Sequence, residues 1–391
     1  MYCVTNGTDI MAAMSRLRRH DEVRRRLAGL YCPPPPWTAA ALWHGAGGAG
    51  LAPPTTDTLA AEVTTIRAQK LAPMLMRHLR AHRTEVDVAT KEALQHDAFR
   101  WATLSQQAVL HGSEAVAALR AHGISCAVSK GPGIARTYPL ATDRVFCDLD
   151  VIVAPASFAR AHRVLSDLGF AEELRSRQPW AYFDRWCREG VNLRSAVGGS
   201  VDLHHHVPPW RWGRALEAKA LIDRAVDVTV NGVTLPCLSA EDNLLVAALH
   251  VVSDRNNPGA TLMIWRDIVQ LAHAADPARI ADRAHATGLN GWLAAVLDAL
   301  PPSVRPHELA AEIRPGRLRD PARLGALLAS PPPRARRAQT LRLPVPGAIA
   351  FAAGMAVPRR RFLTEKFPSD DAPYARWWRD LLVDVRERTP T

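Results

Sequence analysis

The sequence predicts an α+β protein, with a small sheet-bearing core at residues 124–207 and helical regions on either side. Three observations carry that expectation. Apolar residues recur at helical spacing from Asp57 to His122, the mark of amphipathic helices. Short apolar runs bounded by glycine and proline then follow one another from Ile124 to Val207, as strands do. After "PPWRWG" a helical pattern returns to about residue 300.

Residues 1–56 join a short basic helical stretch to "CPPPPW" and "HGAGGAGLAPP", the composition of a flexible leader. Asp57 suits a helix N-cap, and Leu59, Val63, Ile66, Leu71 and Leu75 keep helical spacing behind it. Leu104, Ala108, Val116 and Leu119 do the same before Gly123 stops the helix. This N-terminal helical region spans 57–123.

In the core, "ISCAVSK" and "CDLDVIVA" read as two strands. "PASFARAHRVLSDLGF" reads as a helix with Pro155 near its start, Phe158, Ala161, Val164, Leu165 and Leu168 on one face, and Gly169 at its end. "GVNLRSA" and "GSVDLHHHV" are two further strands across the turn "VGGS". Residues 208–300 form a second helical region. "PPSVRP" and "SPPPRARR" then break the chain into a Pro/Arg-rich extension, 301–391, with a terminal helix at "YARWWRDLLVDVRER".

The composition excludes several classes of protein. At 48% hydrophobic and 22% charged residues the 391-residue chain is ordinary globular material. Its longest apolar run, "LPVPGAIAFAAGMAVP", is too short and too rich in Pro and Gly to span a bilayer. Six scattered cysteines without a CxxC pair argue against a disulfide scaffold or a zinc ribbon. The first residues lack a basic segment followed by an apolar one, so the expected setting is cytoplasmic. The net charge of +11 is almost wholly arginine, with lysine only at Lys70, Lys91, Lys130, Lys219 and Lys366. Arginine clusters such as "RLRRHDEVRRR" lack interleaved aromatics, so neither nucleic acid nor membrane is an expected partner. The charge suits an acidic ligand such as a nucleoside triphosphate.

One stretch carries the chemistry. In "SKGPGIARTYPLATDRVFCDLDVIV" two aspartates stand one residue apart inside an apolar run. Residues two apart on a strand share a face, so Asp148 and Asp150 project together while Leu149, Val151 and Val153 face a core. Two adjacent carboxylates repel unless a cation meets them. Mg²⁺ prefers such oxygen ligands, shared with substrate phosphates. "SVDLHHHV" offers a third acid, Asp202, in mid-strand, and three acids complete a site for two metals that clamps an in-line phosphoryl displacement. Upstream, Gly131 and Gly133 permit a tight bend, with Lys130 beside it and Arg144 four residues before Asp148, all suited to phosphate.

These residues resemble the uncharacterised nucleotidyltransferase family of the polymerase-beta-like superfamily. Its members carry a lysine–glycine bend, a Tyr-Pro, an arginine four residues before Asp-x-Asp, and a later Val-Asp-Leu-His strand. Lys130, Gly131, Tyr138, Pro139, Arg144, Asp148, Asp150, Asp202 and His204 match that pattern. The similarity extends to "LSAEDNLLVAALHVV" and "MIWRDIVQLA", covering about residues 60–290. One departure is Gly-Pro-Gly in the bend, where Pro132 removes a backbone donor. The resemblance implies a small mixed sheet and transfer of a nucleoside monophosphate from an NTP such as ATP, dependent on Mg²⁺ or Mn²⁺, to an unidentified acceptor. Asp148, Asp150 and Asp202 would be the metal ligands and catalytic acids. Lys130, Gly131, Gly133, Arg144 and His204 would hold the nucleotide, and residues 208–300 would face the acceptor.

Other readings compete. The aspartates also fit an edge strand salt-bridged to Arg144. The same fold also suits a catalytically silent nucleotide-binding protein, and Asp202, His204 and His206 suggest a zinc or iron hydrolase. His204 alone fits a residue that orients Asp202. Trp210, Arg211 and Trp212 suit packing or a lid, His250 a capped or paired core histidine and Asp267 a satisfied acid, or both a lining of an acceptor cleft, and Arg136 a solvated charge or a phosphate contact.

Overall fold

The computed structural model describes residues 20–46, 58–172, 190–253 and 261–313, apart from residues 28 and 209, together with isolated positions elsewhere. Seven strands form one sheet: β1 (Cys126–Ser129), β2 (Leu149–Val153), β3 (Phe170–Glu172), β4 (Gly190–Ser195), β5 (Ser200–His204), β6 (Val226–Val230) and β7 (Val233–Cys237). Their order is β3-β4-β5-β2-β1-β7-β6. β2 runs parallel to β5 and β1 parallel to β7, while the other neighbours are antiparallel. The sheet is therefore mixed and flanked by helices, an α+β architecture.

The four strands expected between 124 and 207 all form. The β6–β7 hairpin does not match expectation, because it lies in the stretch read as helical. Its signal is local: "VTVNGVTL" alternates around Asn-Gly, and Asn231 (φ 51°) and Gly232 (φ 79°) both occupy the left-handed region. That conformation suits the twist of a two-residue hairpin.

The sheet has two chemically different faces. Val128, Leu149, Val151, Val153, Leu193, Val201 and Leu203 pack on one side against helices α4 (Val88–Ala121) and α6 (Phe158–Asp167). The alternate positions face a second, larger core built from helices. Ala127 and Ile152 belong to one cluster with buried residues of α9 (Ala240–Ser253), α10 (Thr261–Ala274) and α12 (Asn290–Ala299), and the short helix Ala218–Asp223 packs directly on β1 and β2. The remaining helices are α2 (Leu59–Ala68), α3 (Ala72–Ala81), α5 (Gly131–Ala135), α7 (Trp210–Gly213), α8 (Ala218–Asp223), α11 (Pro277–Ala286) and α13 (His307–Glu312).

Residues 20–46, within the stretch expected to be a leader, also pack into the larger core. Val23, Leu27 and Tyr31 are buried there, and α1 (Pro36–Trp43) sinks Trp37 completely. No side chain of its own caps α1. Instead the buried Glu62 of α2 accepts from the amides of Trp37 (3.2 Å) and Thr38 (2.7 Å) and from the Thr38 hydroxyl (2.8 Å). A carboxylate meeting orphan N–H groups at a helix start is stabilising, and the proline run leading into α1 hid that from a composition argument. The expected N-cap Asp57 and most of the expected terminal helix lie outside the described residues.

Helix α4 begins properly, with the Asp87 carboxylate accepting from the Thr90 amide at 2.9 Å. Further along, Gly112 lets it close on β2, where an added Cβ would stand 2.3 Å from Leu149 Cδ1 and 2.6 Å from Cγ. Gly112→Ala should therefore lower stability by about 1–3 kcal/mol in a denaturant titration, since overpacking outweighs the gain in helix propensity of under about 1 kcal/mol. An unchanged or raised midpoint would show that this contact is slack.

Candidate active site

The parallel register of β2 and β5 sets Asp150 directly beside Asp202, with Ile152 beside His204. Alternation sends Leu149, Val151, Val201 and Leu203 into the core beneath, so the two aspartates rise from the opposite face. One ligand atom from each of Asp150, Asp202 and His204 lies within 4.8 Å of the others. Asp148, at the head of β2, stands outside that tight set but lines the same cleft. Its loop is anchored by α4, where the Ser105 hydroxyl donates to the Phe146 carbonyl (2.8 Å) and accepts from its amide (3.0 Å).

The positive partners come from the sharp turn after β1. Lys130 sits at φ 57° and ψ −130°, a region that costs a non-glycine residue about 1–3 kcal/mol. Its amide donates to the Asn243 side chain (2.8 Å), which itself donates to the Leu238 carbonyl (2.9 Å). The strain aims the Lys130 ammonium at Asp150 Oδ1, 3.2 Å away. His204 Nε2 approaches the same oxygen at 3.3 Å and Asp202 Oδ2 at 3.9 Å.

The electrostatics divide the acids. Burial pushes the Asp150 carboxyl up, but Lys130 and His204 together hold it well below the usual range. Burial, only partly offset by His204 and reinforced by the charges of Asp150 and Asp148, pushes Asp202 up to about 7. Asp148 is raised by burial and by Asp150. Burial lowers His204, yet its contact with Asp150 raises it further. Asp202 Oδ1 is buried without a hydrogen-bond partner among the described residues. An orphaned carboxylate oxygen beside two more acids is a costly arrangement that a cation would relieve.

Around these groups lies a cleft of about 360 Å³. Lys70, Lys130, Gly131, Arg144 and His250 line it with the acids, and Ile134, Ala247 and Met263 form its apolar wall.

The bend after β1 is tighter than expected, because Gly131–Ala135 form a short helix, α5. Gly131 lines the cleft. Gly133 does not, since a Cβ there would meet Cys237 Cβ and Asn243 Nδ2, both at 3.1 Å. This glycine is required by the close approach of α5 to β7 and α9.

Arg144 is equally distinctive. It is buried, and its guanidinium grips Asp267 through NH2–Oδ2 (3.0 Å) and Nε–Oδ1 (3.3 Å), while the Tyr138 hydroxyl donates to Asp267 Oδ1 (2.6 Å). The Tyr-Pro, the arginine and the Trp-x-Asp of the sequence are thus three parts of one buried knot.

These features match a known group. A model of uncharacterised nucleotidyltransferases matches residues 60–300. The chain belongs to that family of nucleotidyltransferases. The matched span begins at α2 and ends after α12, taking in the whole sheet and cleft. No curated protein matches the chain.

Sequence reasoning missed two residues at the site of this nucleotidyltransferase, Lys70 and Asn243, and a buried ion pair in the loop that leads to it. Lys70, at φ 61° between α2 and α3, reaches the cleft, where its charge acts on Asp148. As one of only five lysines it carried a faint signal. Asn243 was hidden in the run "AEDNLL". Asp143, two residues inside the recognised loop, is buried in an ion pair with Arg77. Of the lesser candidates, His205 stacks on Phe158 and the ring of His206 lies 4.5 Å from that of His205, so the tight set takes Asp150 and not His206. Trp212 is buried near Trp292, whereas the side chains of Trp210 and Arg211 lie outside the described residues.

Two outcomes follow from this geometry. Asp267→Asn leaves Arg144 buried without its counter-ion and should cost about 3–5 kcal/mol in urea unfolding, whereas a loss below about 1 kcal/mol would show the knot to be solvated. Because the folded pKa of Asp202 lies above its unfolded value, its stabilising contribution is complete below about pH 4 and lost as pH rises through about 7. In metal-free protein the Tm advantage of Asp202→Asn over wild type should therefore grow from pH 5 to pH 8, and a pH-independent difference would contradict the burial of this carboxyl.

Proposed function

We propose that the protein transfers a nucleoside monophosphate from a nucleoside triphosphate to a hydroxyl group of an unidentified acceptor, with Mg²⁺ or Mn²⁺ held by Asp148, Asp150 and Asp202. The observation that supports this most is the cross-strand pairing of Asp150 with Asp202, together with the orphaned Asp202 oxygen. Carboxylate oxygens on a rigid sheet, open to a polar cleft, are the donor set that hard divalent cations take. Cations bound there would offset the charge of the carboxylates and of the triphosphate.

The remaining roles fall to the chain's own side chains. Lys130, which neutralises Asp150 in this structure, turns its ammonium to a phosphate oxygen once Asp150 is otherwise engaged. Lys70, which also lines the cleft, meets the phosphates too, and Arg144, fixed by Asp267, adds a positive wall. The acceptor oxygen attacks the α-phosphorus and gives its proton to Asp202, the acid that faces the cleft beside Asp150. The bond from the α-phosphorus to the bridging oxygen breaks, and pyrophosphate leaves with the electron pair. His204 holds both aspartates in register. The acceptor lies against α9 and α10, whose His250 and Met263 face the cleft.

Pyrophosphate release and label transfer from each of the four ribonucleoside triphosphates, with Mg²⁺ or Mn²⁺, test this reading. Asp150→Asn and Asp202→Asn should each lower the rate by about 10²–10⁴-fold. Turnover that persists in either variant, or in excess chelator, would refute it.

A further inference from the structure

A second cluster of metal-ligating side chains lies outside the catalytic cleft. His44 follows α1, His78 lies in the last turn of α3, and His82 caps the end of that helix. One ligand nitrogen from each ring lies within 4.8 Å of the others. From these positions we infer that His44, His78 and His82 form a transition-metal site, of the class that takes Zn²⁺ or Co²⁺, which pins the N-terminal segment to the helical core.

The geometry is close to what such a site needs. Two imidazole nitrogens bound tetrahedrally at about 2.0–2.1 Å from zinc stand about 3.3 Å apart, and His78 Nδ1 lies 3.3 Å from His44 Nδ1. His78 and His82 are four residues apart, so one helix face presents both, and their ring centroids lie 4.4 Å apart. His78 is 1% exposed, and its Nε2 has no hydrogen-bond partner among the described residues.

The surroundings favour a cation in two ways. The site lies at the C-terminal end of α3, where unpaired carbonyls carry partial negative charge. The guanidiniums whose charge reaches His44 are both committed, Arg77 to Asp143 and Arg266 to the carbonyls of Leu42 and His44. His82 is exposed, which gives an ion a path in. Three imidazoles leave a fourth position for water, a set that suits borderline metals and not Mg²⁺.

The consequence reaches the cleft. The His44 carbonyl accepts from Arg266 NH2 at 2.8 Å, and Arg266 precedes Asp267, the anchor of Arg144. A metal here would clamp the loop after α1 to α3 behind the wall of the active site.

The test uses the full chain carrying Asp150→Asn and Asp202→Asn, so that the catalytic acids no longer compete. After chelation and dialysis, Co²⁺ is titrated while its visible absorption is followed, and Zn²⁺ is then used to displace it. The inference predicts one Co²⁺ per chain with the intense bands of tetrahedral coordination, displaced by Zn²⁺. Adding His82→Gln, an exposed change that leaves the core intact, should weaken binding at least about tenfold, as should His44→Gln. Zn²⁺ should raise the Tm of the parent but not of the His82→Gln variant. Absence of stoichiometric binding, or equal affinity with and without His82, would overturn the inference.

Discussion

The structure turns on a repulsion. Parallel pairing of β2 with β5 brings the carboxylates of Asp150 and Asp202 side by side on a half-buried face, where two like charges cannot both ionise without help. Lys130 and His204 neutralise Asp150 alone, and Asp202 keeps its proton up to about neutral pH. Much of the surrounding fold serves to hold this balance. The other face of the same strands carries Leu149, Val151, Val201 and Leu203 into a dry core, so neither strand can slip by one residue without burying an acid beneath the sheet. The left-handed Lys130, held by Asn243, stores local strain to deliver one ammonium.

A second constraint ties the sheet to the helices. Asp267 on α10 collects Arg144 and Tyr138 from the loop between β1 and β2. A buried ion pair adds little net stability, but it fixes geometry, because either partner alone would be an uncompensated charge. The cleft therefore has one rigid floor, the sheet, and one wall whose position depends on a single carboxylate. Arg144 is thus both a positive surface on the cleft and the bolt between two cores.

How much of this was legible in the sequence depended on the range of the interaction. The four strands around Asp150 and Asp202 were readable because period-two alternation is a local property; it paired Asp148 with Asp150 and offered Asp202 as a third acid, whereas the register that sets Asp202 beside Asp150 is a long-range pairing. Tyr138, Arg144 and Asp267 were visible as parts of separate motifs, but their union spans 129 residues and no local pattern encodes it. Gly133 was read as a phosphate-binding glycine, yet its freedom is used for packing on Cys237 and Asn243. The same limit hid Glu62 as the remote cap of α1, so a proline-rich stretch read as a leader is core around Trp37. The β6–β7 hairpin is a different case: its Asn-Gly turn was local and readable, and the helical pattern on either side masked it.

The most direct test of the central claim is the location of Mn²⁺ by anomalous diffraction from crystals grown with Mn²⁺ and a non-hydrolysable nucleoside triphosphate. The account predicts density between Asp150 and Asp202, with Lys130 drawn from Asp150 toward phosphate. Mn²⁺ bound elsewhere, with Lys130 still paired to Asp150 and the Asp202 oxygen unliganded, would contradict it.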